Sequence, residues 1–362
     1  MPSVAWADTP GPDDAPTLRL ATFNVNLSRR GPGLLLRDLI RGDPAAETVA
    51  DIIAHVAPDV LLLTKFDYDH GGAALTAFAE VLNGAGHPMP HAFALRPNTG
   101  MQTGLDLIGD RRRNTPDDAQ GYGAFAGVAG MALLSRLPID TQAARDFSAF
   151  LWADLPEARL PRRDGALFPN AEVFEIQRLS TTGHWDVPVI LPDGGRLSVL
   201  GWYASPPVFG GREGRNRLRN HDETRFWTHL LDGALPYAPP EPPFVLMGDS
   251  NLDPHDGDGL HAAMAALLAH PALQDPQPRS AGAVAAADRE RAGDPALHTT
   301  DWRGGRGPGN LRVDYVLPST DLHVTGAGVF WPAPDDPLAE LLGDPGDPPT
   351  RHRLVWVDVA LP

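Results

Sequence analysis

The sequence contains no cysteine. That removes disulfide frameworks, thiolate metal sites and thiol nucleophiles from consideration, although it does not fix a compartment. No run reaches the roughly 18 apolar residues that a membrane helix needs, so no membrane span is expected. Positive charge is scarce. Against 46 Asp and Glu stand 30 Lys and Arg, a formal net charge of −16. Proteins that grip nucleic acid by its phosphates carry a basic footprint, so tight non-specific nucleic-acid binding is disfavoured. A small phosphorylated substrate in a locally positive pocket remains compatible with the charge. Neither a glycine-rich dinucleotide turn nor a P-loop occurs.

What is present is an ordinary globular composition of 42% hydrophobic and 21% charged residues in 362. Above-average Gly and Pro predict many turns and long loops. Residues 1–16 are rich in Pro and Asp and read as a disordered leader. Ala5-Trp6-Ala7 has the small-x-small form of a signal-peptidase site, but the apolar segment that should precede it is missing. Read as a signal-peptide remnant, it makes the protein secreted or periplasmic.

From residue 17 to 362 strands and helices mix with no repeat and no composition break. Strands are expected at 18–25, 60–63, 130–139, 196–204, 244–251, 311–318 and 354–361. Apolar stripes predict helices at 47–56, 74–82, 221–231 and 260–270. Residues 96–127 read as a long loop, 145–185 as an irregular insertion and 276–298 as a mobile loop. This pattern predicts a single α/β domain of two packed sheets.

Polar residues gather where the apolar strands end. FVLM runs into Gly248-Asp249-Ser250-Asn251. Side chains two apart on a strand point the same way, so Asp249 and Asn251 would converge to orient and activate a water, with Gly248 leaving room for a ligand. The plainer reading is a turn, which Asp, Ser and Asn all favour. A calcium loop is excluded, because Pro254 and Leu260 stand where its Gly and Glu should be. Asn24 and Asn26 close another strand, Asp314 sits inside the apolar run LRVDYVL, and His352 precedes the last strand. An unpaired carboxylate in an apolar run is costly.

Taken in order, TFNVN, PDVLLLTKFD, GWYASPP, GDSN, RVDYVL and TRHRLVWVDV resemble the endonuclease/exonuclease/phosphatase superfamily, the deoxyribonuclease/AP-endonuclease-like fold. The resemblance spans nearly the whole chain and suggests a divergent bacterial-type member. It implies a four-layer α/β sandwich, with two packed mixed β-sheets flanked by helices. It also implies a metal-dependent phosphoesterase, using Mg²⁺ (or Mn²⁺ or Ca²⁺) while water attacks phosphorus in a phosphomonoester or phosphodiester. Asp249, Asn251 and His352 would be catalytic, and Asn24 and Asp314 would belong to the metal and phosphate shell. Asn26 would touch the substrate. Tyr203 stands where many members have His, and Tyr is tolerated there in AP-endonuclease-type members. A buried, packed Tyr is the plainer alternative. HWDVPV and RNRLRNHDETRFW place His184, Asn220 and Asp222 as further candidates for the pocket.

Two departures matter. The family's principal metal-binding Glu is replaced by Lys65, so Asp67 or Asp69 would have to hold the metal, or Lys65 would itself face the phosphate. Alternatively, Lys65 only pairs with Asp67. The family's Ser-Asp-His is here Thr350-Arg351-His352, which would deprive His352 of an orienting carboxylate and offer Arg351 to a phosphate. The departures keep open a pseudoenzyme that binds a phosphorylated ligand or a protein partner. A nuclease, relying on Arg111–Arg113 or Arg212–Arg219, is the weaker reading. A monomer acting on a small phosphorylated substrate is expected.

Overall fold

A computed structural model describes residues 17–287, 291–302, 307–344 and 346–361. The expected leader lies outside them. The strands are β1 (Thr17–Leu27), β2 (Val60–Phe66), β3 (His91–Phe93), β4 (Gly130–Ser135), β5 (Arg145–Asp146), β6 (Arg162–Arg163), β7 (Ala166–Leu167), β8 (Gly183–Ile190), β9 (Arg196–Tyr203), β10 (Phe244–Asp249), β11 (Asp314–Pro318), β12 (His323–Val329) and β13 (Val355–Ala360). The helices are α1 (Leu34–Ile40), α2 (Pro44–Val56), α3 (Ala73–Gly84), α4 (Ala171–Phe174), α5 (Arg215–Leu231), α6 (Ala262–Leu268) and α7 (Ala281–Ala285).

One sheet has six strands in the order β12-β13-β1-β2-β4-β3, and the other has five in the order β11-β10-β9-β8-β5. Both are mixed. The β1–β2 and β9–β10 pairs are parallel, whereas β1–β13 and β10–β11 are antiparallel.

The strands read as unbroken apolar runs because both of their faces are buried. On β1 and β2, Leu18, Leu20, Val60 and Leu62 point inward, against Val199, Val245, Met247 and Val316 of the other sheet. Their alternates Ala21, Phe23, Leu61 and Leu63 pack outward on Val49, Ile53 and Phe78 of α2 and α3. The five-stranded sheet does the same. Leu200, Trp202, Leu246 and Tyr315 face Phe226, Trp227 and Met264 of α5 and α6. The result is the expected helix–sheet–sheet–helix sandwich.

Local signals fix the helix ends. Asp43 caps α2 by accepting from Ala46 N at 2.9 Å, with Pro44 in the first turn. Asp69 accepts from the backbone N–H groups of Gly71, Ala73 and Ala74 at the start of α3. That occupation makes Asp69 a cap rather than a metal ligand.

Candidate active site

Strand register assembles the centre of the site. Asp249 ends β10, directly beside Tyr203 of β9 and Asp314 of β11. From the six-stranded sheet Asn24 reaches across, its Nδ2 donating to Asp249 Oδ2 at 2.8 Å. The other carboxylate oxygen, Oδ1, accepts from Asn251 N at 2.9 Å. That bond closes an Asx turn, and Asn251 takes a left-handed φ of 50°. Asn251 Nδ2 then holds Ala204 O at 2.9 Å. GDSN thus adopts the turn, and Asn251 lies beyond the strand end rather than two positions along it. Gly248 does not leave room for a ligand. A Cβ there would lie 2.0 Å from Trp202 O, so the glycine permits close approach of β9.

His352 sits between the two carboxylates. Its Nδ1 lies 2.9 Å from Asp314 Oδ2 and 3.9 Å from Asp249 Oδ2. Asp314 thus orients the imidazole, and the expectation that Arg351 leaves it unoriented is corrected. Thr299 Oγ1 donates to Asp314 Oδ2 at 2.8 Å. Holding Nδ1 leaves Nε2 as the ring nitrogen for the cavity above.

That cavity is about 380 Å³ and is lined by Asn24, Asn26, Lys65, Tyr203, Pro206, Asn251, Trp302, Asp347, Pro348, Thr350, Arg351 and His352. Two backbone irregularities aim residues into it. Pairing of β1 with β2 shifts between Asn24 and Leu27, and pairing of β2 with β4 shifts between Thr64 and Phe66. Asn26 and Lys65 are the residues at these bulges, with φ of 52° and 58°. Plain alternation would place Lys65 outward with Leu61 and Leu63. A bulge re-aims a side chain, and Lys65 instead lines the cavity.

Several expected site residues lie elsewhere. Asp67 does not join the cluster and does not pair with Lys65. Its oxygens accept from Arg29 N at 2.8 Å and Ala129 N at 2.9 Å, tying two loops together. His184 is buried among Trp202, Phe226 and Trp227, with Nε2 3.2 Å from Glu223 O, and does not line the cavity. Asn220 is fully buried on α5, and its Nδ2 donates to Ser205 O and Ser250 O, each at 2.7 Å. It clamps the segments after β9 and β10 beneath the site. Asp222 is occupied by Trp152 Nε1 and Arg159 N. Sequence reasoning missed Trp302, whose ring meets His352 edge-on at 5.2 Å, and Thr299, and it gave no role to Thr350, whose hydroxyl donates to Asn24 O. These lie in irregular segments that carry no periodic signal.

The electrostatics follow from burial and close charges. Burial and the neighbouring Asp314 raise the Asp249 pKa to about 6, against His352, Asn24 and Asn251. Burial opposes a proton on His352, but Asp314 and Asp249 together raise its pKa. Burial lowers the Lys65 pKa, and Asp249 opposes that shift. Burial and the charge of Asp249 push the Tyr203 hydroxyl up, which keeps it neutral.

Asp249, Asp314 and His352 offer ligand atoms all within 4.8 Å of one another, the one such group found among the described residues. Their spacing suits a small divalent cation, but the charge around them does not. Each carboxylate oxygen already accepts a hydrogen bond, and His352 Nδ1 is turned to Asp314. The ammonium of Lys65 and the guanidinium of Arg351 line the space from which a cation would arrive. Positive side chains lining the same cavity repel a divalent cation. The residues present do not fit a divalent ion well.

A model of the endonuclease/exonuclease/phosphatase family matches residues 21–352. Among solved structures, the chain is similar to an endonuclease/exonuclease/phosphatase from Beutenbergia cavernae. The TM-score is 0.54 at 19% identity, covering 95% of this chain and 72% of that one. A family protein from Leptotrichia buccalis gives 0.50 at 14% identity, over 95% of this chain and 100% of that one. Another from Bacteroides thetaiotaomicron gives 0.50 at 13%, over 96% and 98%. These likenesses show the fold. No curated protein matches the sequence.

Proposed function

The chain belongs to the endonuclease/exonuclease/phosphatase family, and from that premise we propose that it hydrolyses phosphate esters of small molecules by attack of water on phosphorus. The observation that carries this reading is the Asp249–His352–Asp314 cluster, set under a cavity that presents Lys65 and Arg351. Phosphoryl transfer needs positioning and charge neutralisation more than covalent chemistry, and this cavity offers both.

In the reaction, the phosphoryl group lies among Lys65, Arg351 and Asn26. A water at the cavity floor forms the new P–O bond while the bond to the leaving oxygen breaks. The water's proton passes to Asp249, whose raised pKa of about 6 suits a base working near neutrality. The leaving oxygen takes a proton from His352 Nε2, and Asp314 stabilises the imidazolium until it is spent. Asn24 and Asn251 hold the Asp249 carboxylate in place. No step passes through a metal.

The test is turnover of p-nitrophenyl phosphate and bis-p-nitrophenyl phosphate by the wild type and by Asp249→Asn, which keeps shape and removes the base. A loss of about 10²–10⁴-fold in kcat is expected. One observation favours a second reading. A cation at position 65 would also suit a protein that binds a phosphorylated ligand without turnover. A folded wild type that binds phosphate but turns over neither ester would establish that reading.

A further inference from the structure

Lys65 is unusual in three independent respects. Its backbone lies in the left-handed region at φ 58°, a conformation that side-chain-bearing residues rarely hold unless the surroundings impose it. It is largely withdrawn from solvent, yet its ammonium has no hydrogen-bond or ion-pair partner among the described residues. Asp67, the carboxylate two residues away, is fully occupied by Arg29 N and Ala129 N. An unpaired, half-buried ammonium and a strained backbone both cost stability. A strand ending in regular alternation would avoid both.

What Lys65 faces is the cavity, together with Arg351. Arg351 gives one N–H to Asp301 O at 3.2 Å and keeps further donors of its fork for a ligand. His352 belongs to the same lining. One carboxylate, the exposed Asp347, belongs to the lining, whereas Asp249 and Asp314 lie buried directly beneath the cavity floor. The wall is therefore cationic in a chain whose net charge is −16.

We propose that the Lys65 ammonium, seconded by Arg351, is the built-in cation of this site, binding the phosphoryl oxygens of the substrate and neutralising their charge so that no divalent metal ion is required. The proposal rests on the phosphoesterase reading above and deepens it. Two fixed positive charges match the two negative charges of a phosphomonoester, and as the ester bond breaks the charge on the phosphoryl oxygens stays within their reach. A fixed ammonium needs no recruitment from solution, and its repulsion of Mg²⁺ becomes part of its role.

The experiment combines turnover with binding. Wild-type protein is freed of metal with EDTA and assayed on p-nitrophenyl phosphate with and without added Mg²⁺, Mn²⁺ or Ca²⁺. Binding of inorganic phosphate is measured by calorimetry in EDTA for the wild type, Lys65→Met and Lys65→Arg. Turnover should change less than twofold between EDTA and any metal. Lys65→Met should lose at least 100-fold in kcat/KM and at least tenfold in phosphate affinity, and Lys65→Arg should recover most of the affinity. Lys65→Met should melt no lower than the wild type, because an unpaired charge has been removed, so misfolding cannot imitate the loss. Turnover abolished by EDTA and restored by a metal overturns the proposal and leaves the phosphoesterase standing. Absent turnover with Lys65-dependent phosphate binding overturns the phosphoesterase and upholds the cationic site. Phosphate affinity unchanged in Lys65→Met overturns the proposal outright.

Discussion

Asn220 shows how a residue outside the cavity can govern it. One side-chain amide holds the carbonyls of Ser205 and Ser250, and Ser250 immediately follows Asp249. Asn220→Ala leaves two buried carbonyls without that donor, at about 1–3 kcal/mol each. We expect a lower urea midpoint and, in the still-folded protein, a fall in kcat larger than any change in KM. His184 acts on stability in another way. Burial depresses its pKa from 6.5 to about 3. Between those values the unfolded chain binds a proton that the folded chain refuses. Its contribution is therefore complete above about pH 6.5 and is lost as pH falls, by at most about 1.4 kcal/mol per pH unit. Urea midpoints measured at pH 7 and pH 4.5 should differ less in His184→Gln than in the wild type. The roles of these two residues were not legible in the sequence. A His and an Asn beside catalytic-looking neighbours read as pocket residues, and only the packing of α5 and β8 shows them buried. Asn24, Asp249, Asn251, Asp314 and His352 were legible, because polar residues at the ends of doubly buried strands have few other reasons to be there. Lys65 was visible as an oddity. Its direction was not, because alternation points it outward and the bulge reverses that.

Among the elements, the long apolar strands and most of the striped helices were found from sequence to within a few residues, although α5 starts at Arg215, six residues before the expected 221. The apolar run 60–63 became β2 (Val60–Phe66), and the stripe at 47–56 became α2 (Pro44–Val56). Six strands were missed: β3, β5, β6 and β7, each only two or three residues long, and the two long strands β8 and β12. In β8, GHWDVPVI carries His, Asp and Pro and reads as irregular, yet it pairs along its whole length with β9. In β12, HVTGAGV has two glycines and weak strand propensity. It pairs with β13, and Gly328 lets the Trp356 ring lie against it, since a Cβ there would sit 2.8 Å from that ring. Tertiary pairing overrode local propensity in both. The β9–β10 contact makes its own prediction. Gly248 has φ 147° and no space for a Cβ beside Trp202 O. Gly248→Ala should therefore cost more than about 3 kcal/mol, seen as a depressed melting temperature, and should damage activity by displacing Asp249.

At the scale of the whole molecule, charge is divided. The chain is strongly acidic, while the cavity between the sheet ends presents Lys65 and Arg351. The bulk charge should repel a polyanion, and the cavity should accept a single phosphoryl group. Fluorescence anisotropy with labelled duplex DNA at physiological salt should accordingly show binding weaker than about 10⁻⁴ M, the weak end of non-specific association. Tighter binding with a steep salt dependence would favour a nuclease. The sandwich itself was readable because six motifs stood in order along the chain. Lys65 and Arg351 were each legible as candidates for a phosphate, but that they line one cavity was not, because they are 286 positions apart in sequence (351 − 65) and are brought together by the β1–β2 and β1–β13 pairings. The central claim is that water attacks phosphorus, and the most direct measurement is hydrolysis of p-nitrophenyl phosphate in ¹⁸O-labelled water, with the products read by mass spectrometry. One ¹⁸O in the inorganic phosphate and none in the nitrophenol is the predicted result. Label in the nitrophenol, or no labelled phosphate from the active wild type, would contradict it.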